Sequence, residues 1–216
     1  MKKGYFISFE GMDGSGKSTQ IIKIKDYLEK NGFEVVLTRE PGGTEIGEKI
    51  RKIILDPENS SMTALTEAML YAASRAQHVE EKIKPEISAG RIVICDRFVD
   101  SSIAYQGFGR GLGASISEVN RLAVAGCMPD VTFLLKLKPG IGGDRIKNRP
   151  KDRIELEAFE FHNAVYKGYE QLENDYPDRI ISIDATRSID EIEQEIREHV
   201  KRIVIQGKDE ISEHAF

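Results

Sequence analysis

Hydrophobic and polar residues follow two periods along this chain, and the two periods alternate. Short apolar runs rich in β-branched residues predict buried strands. These runs cover residues 5–10, 34–38, 91–95, 131–137 and 179–183. Between them, apolar residues recur every three or four positions, which predicts helices at residues 17–31, 46–55, 66–87, 115–125, 155–176 and 188–204. Strands that alternate with helices predict an α/β fold, a five-stranded and mainly parallel sheet with helices on both faces.

The ends of these elements and of the domain also have local signals. Ser188, with Glu191 three residues later, predicts a capping box at the start of the last helix. A chain of 216 residues is long enough for one domain with its own core. We therefore assign residues 1–206 to a single domain and expect the polar residues 207–216 to form a flexible tail.

Composition limits the partners and the compartment. Lys and Arg total 31 and Asp and Glu total 36, so the net charge is −5 and favours neither nucleic acid nor an anionic membrane surface. No apolar run approaches the ~18 residues of a membrane span. Cys95 and Cys127 are isolated in the sequence, which is typical of a reducing compartment. We expect a cytoplasmic protein.

A complete phosphate-binding motif joins the first strand to the first helix. It is the run Gly11-Met12-Asp13-Gly14-Ser15-Gly16-Lys17-Ser18, followed by Thr19, and it fits G-x-x-x-x-G-K-[ST]. Its glycines let backbone N–H groups turn toward phosphate oxygens, and the following helix adds its positive dipole end. Lys17 is expected to reach the β- and γ-phosphates and Ser18 to contact Mg²⁺. The motif predicts ATP binding without naming the reaction.

Charged residues at the ends of other strands suggest what else is bound. Asp96 follows the buried third strand, where a carboxylate is suited either to Mg²⁺ or to capping a helix. Several further arginines follow predicted strands or lie beside glycine-rich breaks, and Arg51 and Arg75 lie on predicted helices. The set is Arg39, Arg51, Arg75, Arg97, Arg145, Arg149 and Arg153. A GTPase would carry Asn-Lys-x-Asp, which the sequence lacks. If the protein were a P-loop ATPase switch that binds a partner, these arginines would have no role. If it were an enzyme with a phosphorylated acceptor, they could bind the phosphate of that acceptor.

Six blocks of sequence resemble bacterial thymidylate kinases, in the same order. They are residues 9–20, Thr38-Arg39-Glu40-Pro41-Gly42-Gly43-Thr44, Ala73-Ser74-Arg75, Asp96-Arg97-Phe98, residues 100–107 and Asp152-Arg153-Ile154-Glu155. The resemblance implies a P-loop kinase fold with a mobile lid at about residues 141–155. It also implies transfer of the γ-phosphoryl group of ATP to dTMP, giving dTDP and ADP for dTTP biosynthesis, with Mg²⁺ and a homodimer. A kinase for another nucleoside monophosphate is the nearest alternative.

The resemblance also implies roles at the phosphate end. Arg97 contacts the acceptor phosphate and bridges donor and acceptor, while Arg39, in one block with Glu40, and Arg51 help to hold that phosphate. Asp13 lies near the acceptor's 3′-hydroxyl and the metal. Glu10 assists from the strand end or, equally, acts as a partner of the helix dipole. Because Gly14 stands where some relatives carry an arginine, a lid arginine supplies the catalytic cation, Arg153 before Arg149.

The resemblance implies thymine as the acceptor base, and hydrogen-bond chemistry is consistent with that base. Thymine has carbonyl acceptors at O2 and O4 and a donor at N3, whereas Arg75 only donates. Arg75 thus suits O4 and would meet the amine of cytosine donor to donor. Tyr71, four residues earlier on the same helical face, is expected to stack on the base or, alternatively, to pack in the core. Ser102 and Gln106 are expected to form hydrogen bonds with N3 and with the remaining polar edge of the base. Tyr105 is expected to crowd the 2′ position of the sugar and so to favour deoxyribose.

Overall fold

The computed structural model describes residues 3–142 and 151–206 of the chain. Its strands are β1 (Tyr5–Glu10), β2 (Val35–Arg39), β3 (Ile92–Asp96), β4 (Val131–Lys136) and β5 (Ile180–Asp184). Its α-helices are α1 (Lys17–Lys30), α2 (Glu45–Leu55), α3 (Ala64–His78), α4 (Lys84–Ser88), α5 (Val99–Ser102), α6 (Ser115–Val124), α7 (Phe159–Asp175) and α8 (Ile189–Val200). π-Helical segments continue α3, α5 and α8, at Val79–Ile83, Ile103–Gly109 and Lys201–Gln206. A 3₁₀ turn spans Pro57–Asn59.

The strands form one parallel sheet in the order β2-β3-β1-β4-β5. Each lies within one residue of its predicted bounds. β1 is central, and its Phe9 pairs with Asp96 of β3 on one side and with Phe133 of β4 on the other. The predicted α/β fold with a parallel five-stranded sheet is confirmed. Ligands of such sheets bind outside the carboxyl ends of the strands, so a binding site is expected at the loop after β1.

The two faces of the sheet are buried by different helices. Successive residues of a strand face opposite sides, and accordingly Ile7 and Phe9 pack with the apolar residues of α1 and α8. Phe6 packs instead with Val79 and Ile83, which follow α3. Each fully buried side chain of this kind contributes about 1.5–3 kcal/mol. Because helices cover both faces of the sheet, a ligand can approach it at the edge formed by the carboxyl ends of the strands.

One helical region has no counterpart in the prediction. Residues 99–109 form α5 and its π-helical continuation, where no helix was predicted. The carboxylate of Glu10 accepts hydrogen bonds from the N–H groups of Phe98 (2.7 Å) and Ser101 (3.2 Å). A side chain from the distant β1 thus satisfies the start of this helix, and no local pattern shows that.

The helix predicted from residue 155 begins later, at Phe159. The side chain of Asp152 accepts hydrogen bonds from the N–H groups of Ile154 (3.0 Å) and Glu155 (2.9 Å). This arrangement holds residues 152–155 as a turn. The predicted helix boundary was wrong because the carboxylate competes with helical hydrogen bonds there.

The capping box at α8 is confirmed. Ser188 Oγ accepts from the N–H group of Glu191 (3.3 Å), whose side chain accepts from the N–H group of Ser188 (3.0 Å).

Two predicted segments fall outside the described residues. The predicted lid does so in part, at residues 143–150, which include Arg145 and Arg149. The predicted tail at 207–216 lies wholly outside them. The assignment of one domain to residues 1–206 stays a prediction. In the described part of the chain, no helix is long and apolar enough to cross a membrane.

Candidate active site

The loop between β1 and α1 has the backbone of a phosphate-binding loop. Gly11, Gly14 and Gly16 have φ angles of 134°, 78° and 97°, which residues with side chains rarely adopt. A Cβ at Gly11 would also lie 2.4 Å from the carbonyl oxygen of Leu135. α1 begins directly after the loop, at Lys17, so the unpaired N–H groups of its first turn face the same space. The loop is therefore suited to an anion.

Lys17 and Ser18 add side chains to this loop. Lys17 Nζ donates to the carbonyl oxygens of Gly11 (3.0 Å) and Met12 (3.2 Å), which places the ammonium group over the loop. Burial lowers the pKa of Lys17, and phosphate oxygens would stabilise its charge. Ser18 Oγ donates to Asp96 Oδ2 (3.4 Å), because β3 is the direct neighbour of β1. A hydroxyl and a carboxylate thus meet beside the phosphate site.

Arg97 crosses from the end of β3 toward the loop. Its φ angle is 69°, a left-handed conformation uncommon for a residue with a side chain. Its Nη2 donates to Asp13 Oδ1 (2.8 Å), and its Nη1 donates to the hydroxyls of Ser101 (3.2 Å) and Tyr169 (3.2 Å). The guanidinium carbon also lies 5.1 Å from the ring centroid of Tyr105. A strained backbone and a fixed guanidinium of this kind are typical of functional sites.

Glu10 lies beneath that guanidinium and is fully buried. Its carboxylate accepts from the N–H groups of Phe98 and Ser101, from the hydroxyl of Ser101 (2.5 Å) and from that of Tyr169 (2.8 Å). Burial, with the nearby charge of Asp100, raises the pKa of Glu10 to about 7. The structure thus places Glu10 as a support for the turn after β3, behind the wall of the site.

The phosphate-binding loop opens into a cleft of about 610 Å³, within the usual range of about 300–1,000 Å³ for small-molecule sites. The structure brings these predicted site residues together in its wall: Asp13, Gly14, Gly16, Lys17, Ser18, Thr19, Arg39, Glu40, Arg51, Tyr71, Arg75, Asp96, Arg97, Tyr105 and Gln106. It also includes Ser101, Asp152 and Glu155, for which the sequence analysis proposed no role. The predicted residues that lie behind this wall are Glu10, Gly11, Met12, Ser15, Ser102 and Arg153.

Arg75 reaches the cleft from α3, but most of its hydrogen bonds go to protein. It is 1% exposed. Its Nε donates to Glu40 Oε2 (2.8 Å), its Nη1 to Ser102 Oγ (3.0 Å) and to Asn120 Oδ1, and its Nη2 to the carbonyl oxygen of Phe98 (3.1 Å). The Ser102 hydroxyl, expected on the base, thus pairs with Arg75.

The block around Glu40 packs against α3 through a second set of bonds. Glu40 Oε1 lies 3.0 Å from His78 Nδ1, and His78 Nε2 lies 2.6 Å from Thr38 Oγ1. A Cβ at Gly43 would lie 2.6 Å from His78 Nε2. These contacts explain why a glycine follows the end of β2 and how Glu40 is held at the cleft.

The remaining cations of the acceptor end differ in exposure. Arg39 has 53% of its side chain exposed, and its Nη2 donates to both carboxylate oxygens of Glu48 (3.0 and 2.9 Å). Arg51 Nη1 donates to the carbonyl oxygen of Pro41 (2.8 Å). Both arginines line the cleft with Tyr71, so a positively charged rim lies beside an aromatic ring.

Arg153, the first choice for the catalytic lid arginine, is buried at the edge of the acceptor end. Its Nη2 donates to Glu67 Oε2 (2.6 Å) and its Nε to the carbonyl oxygen of Ile54 (2.8 Å). Its N–H group donates to the carbonyl oxygen of Leu55 (3.1 Å). In this structure Arg153 joins the end of the lid to α2 and α3, away from the phosphate-binding loop. The second choice, Arg149, lies outside the described residues.

Glu67 is the main residue that the sequence analysis missed. It is fully buried on α3 and accepts hydrogen bonds from Gln106, Arg110 and Arg153. A signal for it exists, because Glu67 precedes Tyr71 by four residues, just as Tyr71 precedes Arg75. Residues four apart share a helical face, so an acidic residue in this row was a candidate for the same site.

Comparisons with known proteins agree with this geometry. A model of the thymidylate kinase family matches residues 9–196. The chain is 51% identical over 194 residues to thymidylate kinase from Geobacillus sp. (strain WCH70), covering 88% of this chain and 92% of the relative. It is 46% identical over 205 residues to thymidylate kinase from Clostridium novyi (strain NT), covering 93% and 100%.

A solved structure has the same fold. Thymidylate kinase from Ehrlichia chaffeensis superimposes with a TM-score of 0.75 at 33% identity, covering 92% of this chain and 99% of that one. The resemblance inferred from the sequence blocks is confirmed by these matches. Because the family model and the relatives span most of its length, this chain belongs to the thymidylate kinase family.

Proposed function

We propose that this protein transfers the γ-phosphoryl group of ATP to the 5′-phosphate of dTMP, giving dTDP and ADP. One observation carries the proposal: a single cleft joins the phosphate-binding loop to a pocket walled by Tyr71, Arg75 and Gln106, and Arg97 lies in the same wall. Family membership supports the same reaction.

The chemistry needs little from the protein besides position and charge. The acceptor is already a phosphate, so catalysis consists mainly of bringing two anions into line and offsetting their repulsion. Lys17 at the loop and Arg97 at the end of β3 provide positive charge inside the cleft. Arg39 and Arg51 would hold the acceptor phosphate from the rim, while Asp13 and Glu40 would meet hydroxyl groups of the acceptor.

The site also fits Mg²⁺. Ser18 Oγ and Asp96 Oδ2 lie 3.4 Å apart beside the loop, and Mg²⁺ prefers such oxygen ligands, with water and phosphate completing the set. Ser18 and Asp96 would hold the ion, which when bound neutralises phosphate charge.

We also propose that the protein acts in the cytoplasm. The free thiols of Cys95 and Cys127 are consistent with a reducing compartment.

A test of acceptor choice separates the candidates. With ATP and Mg²⁺, kcat/KM should be clearly highest for dTMP among dTMP, dCMP, dGMP and dAMP. Equal values for all four would contradict the proposal and favour a broader nucleoside monophosphate kinase. ATP hydrolysis without any acceptor, together with nucleotide-dependent association with a partner, would favour an ATPase switch instead.

We further propose that two copies of the chain form a homodimer through α2, α3 and α6. These helices pack side by side. They expose large apolar side chains at Ile46 and Ile53 of α2, Leu65 and Met69 of α3, and Leu122 of α6. Light scattering should give twice the 24.3 kDa of one chain, and Met69→Glu should shift the protein toward the monomer. A wild-type monomer at micromolar concentration would contradict this arrangement.

A further inference from the structure

A buried carboxylate, that of Glu67 on α3, lies behind the base end of the cleft and binds side chains from two other segments of the chain. Glu67 Oε1 accepts from Gln106 Nε2 (2.9 Å) and from Arg110 Nε (3.1 Å). Glu67 Oε2 accepts from Arg110 Nη2 (2.9 Å) and from Arg153 Nη2 (2.6 Å). Glu67 and Gln106 are 0% and 1% exposed, so water does not compete for these bonds.

The two guanidinium groups keep Glu67 ionised. Burial alone would raise its pKa, but the hydrogen bonds from Arg110, Gln106 and Arg153 outweigh burial and hold the pKa below its ordinary value. An ionised carboxylate can only accept hydrogen bonds. The side-chain atom of Gln106 that faces Glu67 must therefore be the nitrogen.

The position of the nitrogen also fixes the carbonyl oxygen, Oε1, at the opposite side of the Gln106 amide. Gln106 lies in the wall of the cleft, and within residues 3–142 and 151–206 its amide bonds to the protein through Nε2, to Glu67. With the nitrogen held at the back, the carbonyl oxygen is the atom left for a base. A reversed amide would place a donor there and set its oxygen against a carboxylate.

We propose that Glu67 is a positioning residue that sets pyrimidine specificity by fixing the orientation of the Gln106 amide. The inference rests on the proposed function, since it concerns how dTMP is chosen. An exposed carbonyl accepts from the N3–H group of thymine, whereas N3 of cytosine has a lone pair and meets it acceptor to acceptor. Mismatched groups in a buried site stay unpaired, and that is costly.

The first test replaces only the charge, with Glu67→Gln. A neutral amide at residue 67 can pair with Gln106 in either orientation, so Gln106 becomes free to adapt to cytosine. The ratio of kcat/KM for dTMP to kcat/KM for dCMP should fall about 10- to 100-fold, through a higher KM for dTMP and a lower KM for dCMP. A merely structural role would weaken both substrates together, and an unchanged ratio in folded Glu67→Gln would overturn the proposal.

Glu157→Gln is the matched control, because it makes the same chemical change at a carboxylate that pairs with Arg110 Nη1 (2.5 Å). It leaves Gln106, Arg110 and Arg153 on Glu67, and Glu157 lies outside the wall of the cleft. Its dTMP-to-dCMP ratio should equal that of the wild type. A fall as large as in Glu67→Gln would contradict the role of the amide.

A measurement on the unmodified protein applies even if Glu67→Gln does not fold. Neutron diffraction of the deuterated protein distinguishes ND₂ from oxygen, and both deuterons should lie on the Gln106 atom nearest Glu67. Deuterons on the atom that faces the cleft would overturn the inference. A wild type without preference for dTMP would instead reject the proposed function, and the neutron result would still report the orientation of the amide.

Discussion

The two ends of the cleft are built in different ways. The phosphate end consists mainly of backbone from one contiguous stretch, residues 11–18, whose glycines adopt positive φ angles. The base end consists of side chains from α3, from the loop after β2 and from the π-helical segment after α5. Those side chains are held by buried ion pairs, Arg75 with Glu40 and Arg153 with Glu67.

This difference predicts different consequences for substitution. Charges taken out of water are stable only with their partners, so removing one leaves an uncompensated charge. At the base end we therefore expect substitutions to act on folding and on recognition together. At the phosphate end the backbone would persist without a side chain, and we expect loss of rate with little loss of stability.

Arg75→Leu should give the largest effect on stability. It leaves the carboxylate of Glu40 buried and without its guanidinium, and removing one partner of a buried pair costs about 3–5 kcal/mol. Urea denaturation should show this loss in the free energy of unfolding. The control is Arg121→Leu, the same change at an exposed residue of α6, with an effect within about 0.5 kcal/mol. Similar values for both variants would refute the contrast.

Lys17→Met tests the other end. It removes the ammonium group that would meet the β- and γ-phosphates, so kcat should fall about 10²- to 10³-fold, as for loss of one preorganised electrostatic contact. The free energy of unfolding should stay equal or rise, because a buried ammonium is costly when no phosphate is bound. Steady-state kinetics and urea denaturation of one preparation measure both. A large loss of stability with near-normal kcat would show that the two ends do not differ in this way.

The same contrast explains what could be predicted from the sequence. A contiguous motif depends on local backbone geometry, so the phosphate loop, its flanking strand and helix, and the position of Asp96 were predictable from short stretches. The partners of buried side chains are distant. Arg75 bonds to Asn120, 45 residues away, and Gln106 bonds to Glu67, 39 residues away. The sequence indicated which residues approach the base but not which of their atoms are already occupied.

Glu10, the buried acid below Arg97, gives a smaller and pH-dependent effect. Its pKa is raised from 4.5 to about 7, so between these values the folded protein keeps a proton that the unfolded chain has lost. Its contribution to stability is thus full below pH 4.5 and is lost as the pH rises through about 7. The wild type should lose about 1–3 kcal/mol relative to Glu10→Gln over this range. Parallel pH profiles of unfolding would contradict the assignment.

Arg39→Gln should give the smallest effect, although Arg39 lies at the same end of the cleft as Arg75. Its side chain is 53% exposed, and exposed charge pairs contribute at most about 1 kcal/mol. We expect KM for dTMP to rise no more than about fivefold, with little change in the free energy of unfolding. High salt should diminish this effect, because ions screen exposed charges. Lys49→Gln is the control and should leave KM for dTMP unchanged. Lys49 is an exposed residue of α2, the helix that also carries Glu48, the partner of Arg39. A salt-independent rise in KM would instead group Arg39 with the buried cations, and then burial would not be what separates strong from weak sites in this cleft.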